Sequence, residues 1–574
     1  MSAVSAVENT PAFIVSESGA PGRVRGSSKA VAEGVEALYK VPPLEKGPSP
    51  VKLPVLERLL RDYPLREQAQ YLSQGFTFGF RIPYIGSRVH SMSPNLKSVE
   101  GMEAVVLRKI NKEVALGRVL GPFRDLPLPD LCISPLGVVP KKAPGEYRLI
   151  HHLSFPHGSS VNDGIPDSLC SVKYTSFDQA IRVVRSCGKG ALLAKCDIES
   201  AFRLLPVHPG DFNLLGFAFQ GQYYIDRALP MGCSISCAAF EAFSSFLEWA
   251  LRREAGLVTT SHYLDDFLMV GRPRTNQCRH LLEVFQHLCA DLGVPLAQEK
   301  TKGPSAILTF LGIELDTIVG CSRLPQTKLD TLRALLAFCI QARKVTLKQL
   351  QQIIGHLNFA CRVVVPGRPF LRRLCDAVKG VRCGHHRIRV TAPMRADLRL
   401  WASFLESYNG VSFWRDSLLL EADLQVQSDA AGGSGFGVYF RGHWCAERWP
   451  ATWVASGATR DLTFLEFFPI VVAIHLWADL FRNHTVHFWC DNQATVQVIN
   501  RQTSRSPRVM SLVRAFVLAC LSNNILFLAC HVPGVQNGLA DALSRFQVQR
   551  FRQLAPEAES LPDQMPAWLW SLGA

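Results

Sequence analysis

Residues 262–271 read HYLDDFLMVG, a run in which two adjacent aspartates, Asp265 and Asp266, separate two β-forming segments. This pattern predicts a strand, a two-residue turn and a returning strand, with both carboxylates at the tip of the hairpin. An Asp-Asp pair is also ordinary turn chemistry, because short carboxylate side chains hydrogen-bond to the local backbone. The pair therefore needs a partner elsewhere in the chain before it indicates a function.

Such a partner lies 68 residues upstream of Asp265, in LLAKCDIESAFRLLPV at residues 192–207. There an apolar strand is predicted to end at Asp197, and a helix is predicted to begin just beyond it. Carboxylates at the ends of neighbouring strands can share two Mg²⁺ ions, which prefer hard oxygen ligands. Two such ions can activate an attacking 3′-hydroxyl group and stabilise a leaving pyrophosphate. Because adjacent carboxylates without a cation raise one another's pKa, the cluster itself indicates a metal site.

A second set of acidic residues follows further along the chain. LQVQSDAAGGSGFGVYF (424–440) places Asp429 at the end of a predicted strand, and TFLEFFPIVVAIHLW (463–477) is a predicted helix carrying Glu466. VHFWCDNQATVQVI (486–499) ends a strand at Asp491, and HVPGVQNGLADALSR (531–545) puts Asp541 on a short helix. Each acid alone could be a helix cap or a surface residue, but four in this order favour a second metal-dependent site. His531 is left out of this site, since the V-P-G that follows it indicates a non-catalytic position.

Taken in order, these motifs resemble the reverse transcriptases of retroviruses and long-terminal-repeat-like retroelements over residues 130–548. YLDD (263–266) resembles the Y-x-D-D box of that family, and Asp197 falls where its first metal-binding aspartate lies. FLGIEL (310–315) resembles the primer-grip hairpin, PLGVVPKKAPGEYRLIHHLS (135–154) resembles the fingers hairpin, and residues 424–545 resemble a ribonuclease H. HLSFPHGSSVNDGI (152–165) and LPMGCSISCAAFE (229–241) resemble the DIRS-type retrotransposons, which carry a tyrosine recombinase.

The resemblance implies a set of cations for the incoming nucleotide. Lys141, Lys142 and Arg148 of the fingers hairpin would cradle the triphosphate, since cations suit its charged phosphates. Lys300, in LAQEKTKGPS (296–305), would lie near the leaving phosphates.

The resemblance also implies contacts with the sugar and base. Phe202, five residues after Asp197, stands where the family has an aromatic steric gate that blocks a 2′-hydroxyl group, although a core Phe on an amphipathic helix is the alternative. Met231 and Gly232 belong to LPMGCSIS (229–236), which is similar to the box that packs against template and nucleotide. Met231 replaces the usual Gln or aromatic residue, and Met can still pack apolar surface there.

The resemblance implies two Mg²⁺ ions in each active site, with Mn²⁺ as a possible substitute. The catalytic and metal-binding residues would be the seven carboxylates, namely Asp197, Asp265, Asp266, Asp429, Glu466, Asp491 and Asp541.

Charge and cysteine content agree with a nucleic-acid-binding protein inside the cell. The 574 residues carry a formal net charge of +14, and residues 321–420 contain 17 Lys/Arg against 5 Asp/Glu. A basic segment is the pattern expected for a polyanion partner, although it could also be a solvated face. The 17 cysteines include no C-x-x-C pair, and Cys383 with His385 and His386 has no second pair of ligands. With no signal-like N-terminus and no long apolar run, we expect an intracellular protein, cytoplasmic or nuclear.

The predicted fold class is multidomain α/β: a right-hand polymerase with fingers, ferredoxin-like palm and helical thumb, then a ribonuclease H-like domain. The predicted boundaries are a flexible leader (1–50), an N-terminal extension and start of the fingers (51–130), fingers and palm (131–315), a basic helical thumb and connection (316–420), the ribonuclease H domain (421–548) and a C-terminal tail (549–574).

The predicted function is RNA-directed DNA synthesis joined to ribonuclease H activity by two-metal catalysis. The predicted partners are an RNA template, a DNA primer, the RNA–DNA hybrid and deoxynucleoside triphosphates, without a membrane. The alternatives are a decayed or domesticated non-catalytic nucleic-acid-binding protein, or a ribonuclease H with an inactive polymerase. Decay should remove ligand carboxylates first, and all seven are present.

Overall fold

The structure is a computed structural model that describes residues 44–141, 145–407, 411–413, 424–482, 484–523 and 525–573. These residues form two compact units. The first contains residues up to 49, 70–171 and 202–239, and the second contains residues 50–69, 172–201 and 240–574. The predicted leader lies mostly outside the described residues, as does Lys142.

The α-helices of the described residues are α1 (Leu53–Leu60), α2 (Arg66–Phe78), α3 (Glu103–Ala115), α4 (Asp167–Cys170), α5 (Phe177–Ser186), α6 (Ser236–Ala255), α7 (Gln277–Leu292), α8 (Gln326–Gln341), α9 (Leu347–Ala360), α10 (Arg372–Ala377), α11 (Ala392–Ser407), α12 (Ala451–Ala455), α13 (Leu462–Leu476), α14 (Ala478–Phe481), α15 (Gln493–Arg501), α16 (Pro507–Ser522), α17 (Gly538–Ser544) and α18 (Val548–Leu554). The 3₁₀ helices that matter below span Ala201–Leu204, Gln298–Lys300 and Ala567–Gly573.

The strands are β1 (Ser91–Met92), β2 (Val119–Phe123), β3 (Cys132–Ile133), β4 (Leu136–Pro140), β5 (Tyr147–His151), β6 (Leu192–Asp197), β7 (Gly216–Phe219), β8 (Gln222–Asp226), β9 (Thr260–Tyr263), β10 (Asp266–Gly271), β11 (Lys302–Ser305), β12 (Ile307–Phe310), β13 (Ile313–Asp316), β14 (Cys321–Arg323), β15 (Lys344–Thr346), β16 (Arg387–Arg389), β17 (Val411–Phe413), β18 (Leu424–Ala431), β19 (Gly435–Phe440), β20 (His443–Arg448), β21 (Thr485–Cys490) and β22 (Leu526–His531).

The first unit is built on a five-stranded sheet in the order β1-β3-β7-β8-β2. The β1–β3 and β3–β7 pairs are parallel, and the β7–β8 and β8–β2 pairs are antiparallel. Val106 and Ile110 of α3 are buried against Phe217 and Tyr224 of this sheet. The antiparallel hairpin β4–β5 forms a separate pair, as the fingers resemblance predicts.

The second unit begins with an antiparallel sheet in the order β11-β6-β10-β9. Buried and exposed side chains do not alternate along β10. Phe267 to Val270 are all buried, because α5 and α7 pack on this part of the chain. The segment after Asp197 forms a 3₁₀ turn, Ala201–Leu204, where the sequence predicts a helix.

The basic region 316–420 is largely helical, as predicted. Thr346 begins α9 with a capping box, in which its hydroxyl accepts from Gln349 N while the Gln349 side chain accepts from Thr346 N. Helix α9 buries one face, made of Leu347, Leu350, Ile353, Leu357 and Ala360. Their spacing of three or four residues is that of an amphipathic helix packed on a core.

A second five-stranded sheet, called the second sheet below, has the order β20-β19-β18-β21-β22 and lies within residues 424–531. The β20–β19–β18 strands are antiparallel, and β21 and β22 join them in parallel. Helix α13 is apolar on all sides and is buried from Phe464 to Ile474, between this sheet and α16. This burial accounts for the longest apolar run of the sequence, and no helix of the described residues has the length and apolarity needed to cross a membrane.

Residues 549–573, predicted as a tail, pack against the second sheet. Phe551 and Leu569 are fully buried, and the Trp570 ring stacks on Phe468 of α13 at 5.1 Å between centroids. Trp453 Nε1 donates a hydrogen bond to the carbonyl oxygen of Trp570. The aromatic residues of this segment complete an aromatic core, which the predicted tail did not include.

Candidate functional site

The three aspartates of the first cluster meet at one end of the β11-β6-β10-β9 sheet. Asp197 ends β6 and stands directly opposite Asp266 in the antiparallel register. Opposed residues on one sheet face have Cβ atoms about 4.5–5.5 Å apart, so these carboxylates are neighbours. The β9–β10 turn consists of Leu264 and Asp265, because Tyr263 already pairs with Asp266. The predicted hairpin is present, but its turn lies one residue earlier than predicted, so Asp265 is in the turn and Asp266 is already on the returning strand.

Lys300 supplies the positive charge of this cluster. Its Nζ atom lies 2.7 Å from Asp197 Oδ1, and the Ala297 amide donates to the Asp197 carbonyl oxygen, which fixes the 3₁₀ turn beside β6. The hydrogen bond to Asp197 raises the pKa of Lys300, which keeps it charged. Lys300 therefore contacts the first acidic cluster within this unit, and its predicted place near the leaving phosphates stays a prediction.

Electrostatic crowding is strong at these carboxylates. Burial first, and then the charge of Asp197, raises the pKa of Asp265 to about 6. The same two causes raise the pKa of Asp266. The charges of Lys195 and Lys300 therefore do not offset the three clustered carboxylates, and the donor set suits a divalent cation.

The predicted triphosphate ligands of the fingers hairpin lie in the first unit. Lys141 follows β4 and forms an exposed ion pair with Glu146, with Nζ 3.1 Å from Oε2. Arg148 lies on β5 opposite Val139 and is exposed. Lys142 lies outside the described residues.

Phe202, the predicted gate, is half-buried in the Ala201–Leu204 turn of the first unit. Its neighbour Arg203 anchors this turn, with Nη1 2.7 Å from Asp226 Oδ1 and Nη2 3.1 Å from Glu113 Oε2. Asp226 is in turn 2.9 Å from His151 Nδ1. A buried charge network thus fixes the backbone next to Phe202, and the sequence analysis did not find it.

Met231 and Gly232 lie just before α6, also in the first unit. The Met231 side chain is 53% exposed, so it is available for contact with a ligand. A Cβ atom at position 232 would lie 1.8 Å from the His151 carbonyl oxygen, so only glycine allows this close approach. The Asn162 side chain donates to the Gly232 carbonyl oxygen at 2.8 Å and holds the loop in place.

In the second sheet, two strands and a helix bring three of the four predicted acids together. Gln427 of β18 pairs with Trp489 of β21 in parallel register, so Asp429 and Asp491, each two residues further on, reach the same edge. The ligand oxygens of Glu466 and Asp491 lie within 4.8 Å of each other. Asn492 then caps α15 through the Thr495 amide, which turns the chain immediately after Asp491.

Asp541 is brought to this edge by α17, which packs on β18 and β19. Gly437 of β19 makes this packing possible, because a Cβ atom there would lie 2.4 Å from Leu543 Cβ. One turn after Asp541, the Ser544 hydroxyl donates a hydrogen bond to Asp429 Oδ2. The four predicted acids therefore lie around one edge of the sheet, with their predicted strand or helix contexts confirmed.

The electrostatics of this second cluster are uneven. Burial first, and then the charges of Asp429 and Asp491, raises the pKa of Glu466 to about 9. Burial and the neighbouring acids Asp491 and Asp541 also raise the pKa of Asp429 to about 6, although the Ser544 hydrogen bond opposes this. The charge of Arg545 opposes the rise at Asp429 only in part, so the inner carboxylates again suit a divalent cation.

Asp541 differs, because two arginines contact it. Burial would raise its pKa, but hydrogen bonds from Arg545 and Arg550 outweigh burial and lower the pKa of Asp541. The Arg545 Nε–Oδ1 and Arg550 Nη1–Oδ2 distances are 2.6 and 2.7 Å. Neither arginine was predicted from the sequence. The four-residue spacing from Asp541 to Arg545 on a helix could have predicted the first ion pair.

His531, excluded by the sequence analysis, lies beside this cluster. Its Nε2 atom is 3.1 Å from the backbone carbonyl oxygen of Asp491, and its side chain is exposed. It therefore contacts the backbone of a cluster residue and no carboxylate group among the described contacts.

Comparison with known proteins identifies part of the chain. Residues 139–315 match the family described as reverse transcriptase (RNA-dependent DNA polymerase). Protein P of duck hepatitis B virus (strain United States/DHBV-16) is 28% identical over 168 residues, which are 28% of this chain and 19% of that protein. The Pro-Pol polyprotein of feline foamy virus is 26% identical over 180 residues, 31% of this chain and 14% of the polyprotein. The chain thus matches about a fifth or less of the length of these relatives.

The fold extends beyond the matched domain. The foamy viral protease-reverse transcriptase, solved in complex with an RNA/DNA hybrid, is 16% identical with a TM-score of 0.50, covering 87% of this chain and 65% of that chain. The multidomain α/β fold is therefore similar to that of this viral enzyme. The first acidic cluster and Lys300 lie within residues 139–315, and the second acidic cluster lies outside them.

Proposed function

We propose that this chain is an RNA-directed DNA polymerase with ribonuclease H activity, which copies retroelement RNA into DNA and degrades the RNA strand of the hybrid. The observation that carries the proposal is the meeting of Asp197, Asp265 and Asp266 at one sheet edge, inside residues matched by the reverse transcriptase family. The template would be RNA, the primer DNA, and the substrates deoxynucleoside triphosphates.

The first cluster would hold two divalent ions, Mg²⁺ or Mn²⁺, through Asp197, Asp265 and Asp266. The fit rests on three clustered carboxylates, of which Asp265 and Asp266 keep raised pKa values although Lys195 and Lys300 lie nearby. Bound there, the ions would supply activation of the primer 3′-hydroxyl and charge stabilisation of the leaving pyrophosphate. Lys300 would hold a proton and a positive charge beside the leaving phosphates.

The residues of the first unit would bind the nucleotide. Lys141, Lys142 and Arg148 would contact the triphosphate, since cations on a hairpin can surround its oxygens. The Phe202 ring would exclude a 2′-hydroxyl group, and Met231 and Gly232 would pack against base and template. Arg203 supports this arrangement because it fixes the turn that carries Phe202.

The second cluster would be a ribonuclease H site. The support is a sheet of three antiparallel strands joined by two parallel strands, with Asp429, Glu466, Asp491 and Asp541 in strand, helix, strand, helix order. Two divalent ions bound by these acids would supply an activated water for attack on the RNA strand. Ser544 would orient Asp429, and Arg545 and Arg550 would orient Asp541.

The domain arrangement is part of the proposal. Residues 131–315 would be fingers and palm, 316–420 thumb and connection, and 421–548 the ribonuclease H domain, with 549–573 packed on it. The foamy viral enzyme was solved with an RNA/DNA hybrid, and the basic region 316–420 could grip such a duplex through phosphate contacts. An intracellular location and a DIRS-type origin complete the proposal.

The direct test is primer extension on an RNA template by the full chain. We expect extension with Mg²⁺ or Mn²⁺ that stops in excess EDTA and that is abolished by Asp265→Asn. The matched control is Asp330→Asn, an exposed acid on α8, which should retain full extension. Hybrid binding without extension under any metal condition would instead support the non-catalytic alternative, and cleavage of hybrid RNA without extension would support a ribonuclease H alone.

A further inference from the structure

A cysteine and two histidines cluster on the loop between α10 and β16. The ligand atoms of Cys383, His385 and His386 all lie within 4.8 Å of one another. Cys383 Sγ is 3.2 Å from His385 Nδ1. These residues lie on a basic segment, away in sequence from both acidic clusters.

The backbone of this loop is held in place at the start of α9. The His386 amide donates to the Cys383 carbonyl oxygen at 3.0 Å, which closes a tight turn around Gly384. The amides of Leu347 and Lys348 donate to the carbonyl oxygens of His386 and Gly384 at 2.8 and 3.1 Å. Those amides have no partner within the helix, because they belong to its first turn. The loop is thus fixed in a form that keeps the three side chains together.

The donor set selects the kind of metal. Thiolate and imidazole ligands suit Zn²⁺, whereas Mg²⁺ prefers carboxylate and water oxygens. Three protein ligands and one water would complete a tetrahedral Zn²⁺ site. The flanking residues Arg382 and Arg387 are exposed and can turn away from a bound cation.

We propose that Cys383, His385 and His386 bind one Zn²⁺ ion, and that this ion fixes the side chains of the loop leading into β16. The metal would join His386, the residue directly before β16, to the turn that closes on α9.

The pairing of β16 with β15 gives this zinc site a consequence. Val345 of β15 is buried and Ile388 of β16 packs against the same core, while their neighbours Lys344, Arg387 and Arg389 are exposed. Lys344 pairs with Arg389, so the exposed cations share one face of this strand pair. A bound Zn²⁺ next to Arg387 would restrain this basic face; its use as a nucleic-acid grip rests on the proposed function.

Metal binding can be tested with Co²⁺ titrated into the full chain in excess Mg²⁺, which occupies oxygen sites and competes poorly for thiolate and imidazole. We expect one equivalent of Co²⁺ with a thiolate charge-transfer band and the visible bands of a four-coordinate ion, both displaced by Zn²⁺. Cys383→Ser should abolish the charge-transfer band. His385→Gln and His386→Gln should each weaken Zn²⁺ binding by more than about a hundredfold, since even groups that only support ligands contribute about 10–100-fold.

The controls lie in the same region. Cys375→Ser on α10 and His356→Gln on α9 should keep the band and the affinity. The proposal is overturned if the wild-type chain gives no thiolate band, or if Cys383→Ser leaves that band unchanged. Hybrid binding, measured with and without Zn²⁺, separates the two proposals: stoichiometric Zn²⁺ without any hybrid binding supports the metal site and counts against the proposed function.

Discussion

The two acidic clusters are built differently. The first takes its carboxylates from adjacent antiparallel strands, and the register that sets Asp266 opposite Asp197 already brings them together. The second takes them from two strands and two helices, and Asp429 and Asp541 are 112 positions apart in the sequence. In the first cluster a lysine contacts Asp197; in the second, two arginines contact the outer acid, Asp541, and no ion pair of the described residues involves Glu466.

This difference shows how folding controls charge. In the first cluster Asp265 and Asp266 are half-buried, and the pKa of Asp265 rises to about 6. A helix packed over the sheet buries Glu466, whose pKa rises to about 9 because of burial and the nearby acids. The second cluster should therefore depend more strongly on a cation for its ionised form.

The largest of these effects is expected at Lys300, the lysine that contacts Asp197 of the first cluster. Lys300→Ala should lower primer extension by roughly 10²-fold, because a charge near the leaving phosphates acts in the transition state. Cleavage of RNA in a preformed hybrid should remain within twofold of the wild type. Lys302→Ala, at an exposed position on β11, is the control and should retain both activities. Equal losses of extension in both variants would remove Lys300 from the site.

A smaller effect is expected for the aromatic residue that only the polymerase would use. Phe202→Ala should raise ribonucleotide incorporation relative to deoxynucleotide by about 10-fold or more, as steric rejection of a hydroxyl group is worth up to about 10²-fold. Phe202→Tyr keeps the ring and should keep the selectivity. Single-nucleotide extension kinetics measure both. An unchanged ratio in Phe202→Ala would show that this ring is not the gate.

The basic region should affect both activities together. If Arg387 and Arg389 contact phosphates, changing both to Gln should reduce the log–log salt slope of hybrid binding by about 1.4–1.8, at about 0.7–0.9 per contact. Extension and cleavage should weaken in parallel as salt rises.

Two further arginines of the basic region, Arg372 and Arg373, should contribute less to the salt slope. Arg372 and Arg373 already pair with Asp376 and Asp397, at 3.1 and 2.9 Å. Changing both to Gln should therefore alter the slope less than the Arg387 and Arg389 pair does. Filter binding over a salt series distinguishes the pairs, and a flat response to all four changes would place these charges in solvent.

The smallest effect, a few degrees in melting temperature, compares the clusters without metal. A raised carboxyl pKa adds stability that is complete below the unfolded-state pKa and is lost as pH rises through the folded-state pKa. For Glu466 this window runs from 4.5 to about 9, and for Asp265 from 3.8 to about 6. In EDTA, Glu466→Gln should reduce the fall in melting temperature above pH 6, and Asp265→Asn should act only below it.

Calorimetry of the full chain measures these melting temperatures. Glu447→Gln, an exposed acid on β20, is the control and should leave the pH profile unchanged. If Glu466→Gln melted with the wild-type profile above pH 6, the burial of an uncompensated Glu466 carboxyl group would be contradicted.

Local patterns predicted much of the fold. Strand ends and turns depend on a few neighbouring residues, so the hairpin at Asp265 and the strand before Asp491 could be predicted from the sequence. The α-helix expected after Asp197 is a 3₁₀ turn, because tertiary contacts of Arg203 fix that segment.

Contacts between distant residues could not be predicted in this way. Arg550 reaches Asp541 across nine residues and a helix boundary, and no periodicity signals it. The stacking of Trp570 on Phe468 depends on the completed core, so residues 549–573 were expected to be a tail. The network of Arg203, Asp226 and His151 likewise exists only after the first sheet has formed.

The proposed function requires the two acidic clusters to be separate active sites, and one variant in each cluster, assayed for both activities, tests this. Asp266→Asn and Asp491→Asn each remove one anionic ligand while keeping the side-chain shape, 225 residues apart. Each folded variant is assayed for primer extension and for cleavage of RNA in a preformed hybrid. Asp266→Asn should abolish extension and leave cleavage, and Asp491→Asn should do the reverse. Loss of both activities in either folded variant, or retention of both, would contradict the assignment of two separate active sites.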